Sequence, residues 1–299
     1  MAHGWKDSTL KVYGSGLLLY HVICDAKDVP ETHRALASIA LLCSFLSALA
    51  GSYSPSTVEN YLAGIRAWHL IHGLEWSHDT ARLTSLQHGT KNLAPPSAKK
   101  TKRAPYTVTY LLQLRPYLNL SDSVHTAVWA CVTALFYGIA CVGELTVPSL
   151  SGFKLDIHTK TSTHGQEIYW SSEPNPTDPD AALRHHLLVK KPSPNEHLFS
   201  NTFKKERRPL LHSVFLRYIA QAAAQAGLPP LHGHSFRIGG TLEFLLRGLP
   251  FDTIQVKGRW VSNTFQAYLH CHAEIMMVHI QSNMAVHWAF VHYTLPPAL

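Results

Sequence analysis

Between Val124 and Ala140 the chain is apolar on every face of a helix. Such a segment has no side to turn to water, so other elements must enclose it. A second run, Ser38–Ala50, has the same character. Both runs are interrupted by polar residues, and no stretch reaches the roughly 18 uncharged apolar residues needed to cross a bilayer. They read as buried helices. A chain of 299 residues with 46% apolar and 15% charged side chains has the material to wrap them. The same composition excludes disordered, collagen-like and low-complexity architectures. Met1–Lys6 shows no charged segment followed by an apolar one, so no secretory leader is expected. The five cysteines (Cys24, Cys43, Cys131, Cys141, Cys271) are scattered and form no C-x-x-C pair. Thiols in a reducing, intracellular setting fit better than a disulfide framework or a cysteine zinc site.

The clearest break in the chain is Ala94–Pro105. Two adjacent prolines, small residues and the cations Lys99, Lys100, Lys102 and Arg103 make poor helix or strand, so the stretch reads as an exposed basic linker. It divides the protein into an N-terminal domain, residues 1–93, and a larger one, residues 106–299. Charge divides unevenly between them. Residues 1–93 carry seven basic and seven acidic side chains, whereas residues 94–299 carry nineteen and twelve and hold the whole net charge of +7. A basic larger half points to a polyanionic partner, and the Lys/Arg run is also of the kind that serves nuclear import.

Local signals make both domains mostly α. In the first, Ser56 and Glu59 have capping-box spacing, and Val58, Leu62, Ile65 and Trp68 recur at helical spacing, with Arg66, His69 and Glu59 off that stripe. In the second, Phe153–Trp170 alternates around Thr161–Gly165 and is expected to form a small β-hairpin. Ser172–Asp180 reads as Pro-rich loop. Helices are expected over Ser213–Ala226, Phe236–Arg247, Phe251–Lys257 and Ser262–His270.

Chemistry-bearing residues gather late in the chain. His234 and Arg237 lie three apart at a helix start, Trp260 follows Arg237 by 23 positions, and Tyr268 by 31. Arg suits two-point binding of phosphate, His acts as acid or base near neutral pH, and Tyr can be a nucleophile. Helix capping by His234 and Arg237, with Trp260 and Tyr268 filling core, accounts for the spacing equally well. His232-x-His234 and His270-x-His272 resemble paired metal ligands, but neither has helical i, i+4 spacing and carboxylates nearby are few, so no metal or other cofactor is expected. Lys190-Lys191, Lys204-Lys205 and Arg207-Arg208 fit phosphate contacts or a solvated face, and His185-His186 reads as surface.

The H-x-x-R, G-x-W and Tyr series resembles the C-terminal half of the tyrosine recombinases, the phage-integrase-like DNA breaking-rejoining enzymes, with the greatest likeness to fungal Crypton-like mobile-element recombinases. Tyr53–Val58 with Tyr61–Arg66 is similar to that family's core-binding domain, and Phe136–Leu145 to the start of its catalytic domain. The resemblance implies a helical, SAM-like core-binding domain and a mainly α catalytic domain with a small β-hairpin sheet, together clamping double-stranded DNA. By the same likeness Tyr268 would attack a scissile phosphate and form a 3′-phosphotyrosyl link. Arg237 would hold the non-bridging oxygens, Lys160 on the hairpin would protonate the leaving 5′ oxygen, His234 would assist proton transfer, and Trp260 would support Tyr268. Arg66, Lys99, Lys100, Lys102 and Arg103 would contact DNA, and residues after Tyr268, notably Ala273–Met284, would pack on a neighbouring protomer in a dimer or tetramer. The resemblance places the protein in the nucleus, with neither a membrane nor a small-molecule substrate.

One departure outweighs these matches. Glu144 is in place, but Cys141 stands where the family carries its first catalytic arginine, and His270 stands where related sequences often have another. A neutral thiol cannot grip phosphate at two points as a guanidinium does. Loss of such a donor typically costs about 10²–10³ in rate, and of an arginine at a phosphoryl group about 10³–10⁵. Two readings stay open: an impaired recombinase, and a degenerate element copy that binds DNA without catalysis.

Overall fold

The computed structural model describes residues 7–76, 80–98, 103–152, 167–261 and 275. The chain divides into two compact units, Met1–Lys102 and Arg103–Leu299. Among the described residues it is mostly helical, with one small two-stranded antiparallel sheet. Among the described residues no helix is long and apolar enough to cross a membrane.

The first unit is a helical bundle of α1 (Asp7–Ala26), α2 (Glu31–Arg34), α3 (Ile39–Leu49), α4 (Pro55–Ile71) and α5 (Thr80–Asn92). Its core gathers Tyr20, Leu42, Phe45, Leu46, Leu49, Val58, Leu62 and Ile65, all buried. Two glycines let α1 and α4 cross backbone to backbone. A Cβ on Gly16 would stand 2.7 Å from the Tyr61 Cα, and one on Gly64 would stand 2.8 Å from the Tyr13 carbonyl oxygen. The cap of α4 lies two residues earlier than its sequence spacing indicates. Ser54, not Ser56, accepts from the Thr57 amide at 3.2 Å, with Pro55 opening the first turn. His69, off the apolar stripe by its spacing, nonetheless does not face solvent. It is fully buried, bonded through Nδ1 to the Ile65 carbonyl at 2.8 Å, and its Nε2 accepts from the Ala37 amide at 3.3 Å.

The second unit contains α6 (Val108–Leu114), α7 (Ser123–Tyr137), α8 (Val142–Leu145), α9 (Pro179–Lys190), β1 (Asn201–Phe203), β2 (Glu206–Arg208), α10 (His212–Gln225), α11 (His234–Leu246) and α12 (Phe251–Lys257). Helix α7 is the apolar run met first in the sequence. It is buried continuously from Thr126 to Tyr137 and packs against α9, α10, α11 and β1. Asp122 caps it by accepting from the Val124 and His125 amides at 2.8 and 3.1 Å. Its buried Thr126 and Thr133 hydroxyls donate to backbone carbonyls and so stay satisfied in the apolar surround.

The hairpin in the described structure is not the one expected. Residues 153–166, with the expected turn and Lys160, lie outside the described residues, and 167–170 is not strand. Strands β1 and β2 pair instead, with Asn201 opposite Arg208 and Phe203 opposite Glu206. Lys204 and Lys205 form the two-residue turn, both at positive φ (50° and 69°), as a tight hairpin of this twist demands. The end of the Pro-rich stretch starts a helix rather than continuing as loop. Asp178 caps α9 and Pro179 takes its first position. That helix buries His186 completely, although His185-His186 reads as surface, and the His186 Nε2 bonds the Leu198 carbonyl at 2.9 Å.

Candidate active site

Two unusual helix ends build the site. Helix α7 stops where Ala140 N donates to Leu135 O (2.9 Å) and Ile139 N to Phe136 O (3.2 Å), a left-handed stop normally given to glycine. Here the left-handed residue is Ile139, at φ +47° and fully buried, a strained conformation for a β-branched side chain. The turn delivers Cys141 directly to the head of α8. Helix α12 ends in the same way, with Trp260 N on Gln255 O (3.0 Å), Arg259 N on Val256 O (2.9 Å) and Arg259 itself at φ +59°. Gly258 is required just before it, because a Cβ there would fall 1.7 Å from the Trp260 ring.

Helix α11 carries His234 and Arg237 into the space between these ends. Its two successive glycines allow that approach. A Cβ on Gly239 would lie 2.1 Å from the Tyr106 carbonyl oxygen, and one on Gly240 would lie 2.1 Å from the Phe136 carbonyl oxygen. Phe236 stacks on Tyr106 with ring centroids 3.8 Å apart, and Tyr106 N donates to Ser235 O at 3.2 Å. Among the described residues the buried Ser235 hydroxyl has no hydrogen-bond partner.

Arg237 is the centre of the site. Its Nη1 contacts the Cys141 Sγ at 3.1 Å and Glu144 Oε1 at 3.2 Å, its Nη2 donates to the Gly258 carbonyl at 2.5 Å, and its guanidinium lies 4.2 Å from the Trp260 ring centroid. Two segments, residues 141–144 and 258–260, therefore meet on one side chain of a third. Burial pushes the Cys141 thiol up, with Arg237 pulling the other way, so at neutral pH the position carries a neutral S–H. Burial, and then the charges of Arg103 and Arg237, lower the His234 pKa. The imidazole is therefore neutral at pH 7 and able to accept a proton.

Of the residues singled out in the sequence, Cys141, Glu144, His234, Arg237 and Trp260 all belong to this part of the second unit. Arg103 is exposed and close enough to influence His234, and Arg66 is exposed on α4 of the first unit. Lys99, Lys100, Lys102, Lys160, Tyr268 and His270 lie outside the described residues, as do Ser262–His270 and His272. Among the described residues no cluster of three or more His, Cys, Asp or Glu is placed to hold a metal ion. Sequence reasoning passed over Arg259. Its Nη2 reaches Glu144 Oε2 at 2.5 Å, and its guanidinium also donates to the Gly138, Ile139 and Lys257 carbonyls at 3.1–3.3 Å. The only hint was its position inside Gly258-Arg259-Trp260.

No family model and no curated protein matches the chain. Among solved structures it is similar to one described as the crystal structure of XerA recombinase. That likeness has 17% identity and a TM-score of 0.41, and covers 95% of this chain and 99% of that one.

Proposed function

We propose that the protein binds double-stranded DNA and descends from enzymes that break and rejoin it through a tyrosine nucleophile, with Cys141 impairing the chemistry of this copy. The observation that carries the reading is the convergence of Cys141, Glu144, Gly258 and Trp260 on Arg237. The sequence resemblance by itself assigns these residues to one phosphate site. They come together around a guanidinium, the group best suited to two-point contact with a phosphodiester.

Each residue then has a task. Tyr268 Oη attacks the scissile phosphorus, the P–O bond to the 5′ oxygen breaks, and the 3′ phosphate becomes an ester of the tyrosine. Lys160 gives the departing 5′ oxygen its proton. Neutral His234 handles proton transfer beside Arg237, and Arg237 faces the charge that develops on the non-bridging oxygens. Bond energy is conserved in the phosphotyrosyl link, so neither metal nor nucleotide is needed. Arg66 and the Lys99–Arg103 run contact the backbone, the same run directs nuclear import, and protomers associate on DNA as dimers or tetramers.

The thiol at 141 supports a second reading, a DNA-binding protein without catalysis, because a neutral S–H now touches the one described guanidinium aimed at this position. The test is covalent attachment to nicked duplexes drawn from the DNA flanking the gene, resolved on denaturing gels, with wild type and Cys141→Arg side by side. A shifted band that is strong in Cys141→Arg and weak or absent in the wild type fits an impaired recombinase. No band in either, with DNA still bound, leaves the binding protein.

A further inference from the structure

Glu144 sits between two guanidiniums. Arg259 takes Oε2 at 2.5 Å, and Arg237 takes Oε1 through Nη1 at 3.2 Å. Both arginine side chains are nearly buried, at 9% and 8% exposure, and the carboxylate is 26% exposed. Burial strengthens these charges against one another relative to the same pairs in water. Arg237 and Glu144 alone would cancel, and a carboxylate with both oxygens available would hold Arg237 by two bonds, in the geometry that a phosphodiester needs. Arg259 competes for that carboxylate. It occupies one oxygen with the shorter bond and raises the formal charge of the cluster from zero to +1.

Its backbone strengthens the case. Arg259 holds the left-handed position of a helix stop where glycine is the unstrained choice. Its further bonds to the Gly138 and Ile139 carbonyls fix its guanidinium beside the turn that presents Cys141.

We infer that Arg259 is a positioning residue for anion binding: by engaging Glu144 it weakens that carboxylate's competition with phosphate for Arg237, and it supplies the second positive charge that Cys141 does not. This rests on the DNA-binding reading above. Through the Gly138 and Ile139 carbonyls Arg259 also staples the end of α12 to the end of α7, a structural role distinct from the electrostatic one.

The experiment measures binding of a fluorescein-labelled 20-base-pair duplex by anisotropy, at low and moderate salt, with the full chain. Arg237→Met sets the share of affinity that Arg237 contributes, with an expected loss of about tenfold, the scale of one charge-assisted bond pair. Arg259→Met is expected to lose a similar factor, because Glu144 then closes on Arg237. Adding Glu144→Gln to Arg259→Met removes that competitor and is expected to restore affinity to within about threefold of wild type. A stapling role predicts no such rescue.

If Arg237→Met binds as the wild type does, no phosphate is held there, and the functional reading falls together with this inference. If Arg237→Met weakens binding while Arg259→Met does not, the inference alone is overturned. It is overturned equally if the double variant stays as weak as Arg259→Met. Should Arg259→Met fail to fold, Glu144→Gln alone decides: tighter binding than wild type supports the inference, and unchanged or weaker binding overturns it.

Discussion

The site depends on a helix that can touch its neighbour's backbone, and replacing Gly240 with alanine tests this dependence. The added Cβ would lie 2.1 Å from the Phe136 carbonyl oxygen and 3.1 Å from its carbonyl carbon. Ordinary contact begins near 3.4 Å, so one helix must move by the difference, 3.4 − 2.1, about 1.3 Å. Phe136 O is backbone in a fully buried helix end and already accepts from Ile139 N at 3.2 Å. The carbonyl therefore has little freedom to retreat, and the shift falls on α11. That movement carries Arg237 away from Cys141 and Glu144, whose contacts are 3.1 and 3.2 Å. Overpacking of this kind costs about 1–3 kcal/mol, and a misplacement near 1 Å at a reacting centre costs about 10² in rate. Urea unfolding of Gly240→Ala should show the lost stability at unchanged m-value, and duplex binding should weaken with it. Gly143→Ala is the control, since a Cβ there meets nothing within 4 Å. It should unfold within about 0.5 kcal/mol of wild type or slightly later. A Gly240→Ala protein as stable as wild type, with DNA affinity intact, would refute the reasoning that backbone contact sets Arg237.

Other outcomes follow from the same geometry. Burial lowers the His197 pKa from 6.5 to about 4, and burial also lowers that of His186. The unfolded chain therefore binds protons that the folded chain refuses. The His197 contribution should be fully present above pH 6.5 and be lost as pH drops towards 4, a change of about 3 kcal/mol. Thermal melts across that window should flatten in His197→Gln, and an equal pH slope in the variant would contradict the assignment. Arg247 binds buried Glu173 through both Nη atoms at 2.7 and 3.0 Å, so Arg247→Met strands a carboxylate and should cost about 3 kcal/mol in chemical unfolding; a loss below about 1 kcal/mol would show that Glu173 finds another partner. Ser235→Ala removes a buried hydroxyl that has no partner among the described residues and should be neutral or stabilising by melting temperature, and a clear loss would mean that the hydroxyl is bonded after all. The protonated Cys141 should alkylate slowly with iodoacetamide at pH 7, whereas rapid labelling would show thiolate character.

Much of this was legible in the sequence because it was local. The buried run of α7, the span Phe251–Lys257 and the ends of α10 and α11 near Gly227 and Gly248 follow from periodicity and stop residues within one segment. So did the pairing of His234 with Arg237. What escaped was set by partners distant in the chain. His69 and His186 look like surface residues until Ala37 and Leu198 supply their bonds. The hairpin of β1 and β2 has three-residue strands with no alternation and turns on Lys204-Lys205, not on the Asn-Gly or Asp-Gly that marks such turns. Helix α9 did leave a signal, Asp178 followed by Pro179, hidden because the same proline reads as loop composition. Arg259 was invisible for a different reason. Its role depends on a positive φ and on a carboxylate 115 residues away, and neither has a sequence signature.

We propose that the Arg237 site belongs to a tyrosine-based DNA-cleaving centre, impaired at Cys141. The most direct measurement is mass-spectrometric mapping of the adduct that Cys141→Arg forms with a nicked duplex. The account predicts a 3′-phosphodeoxyribose on the peptide containing Tyr268, absent in Cys141→Arg/Tyr268→Phe although that protein still binds the duplex. An adduct on any other residue, or none despite tight binding by Cys141→Arg, would contradict it.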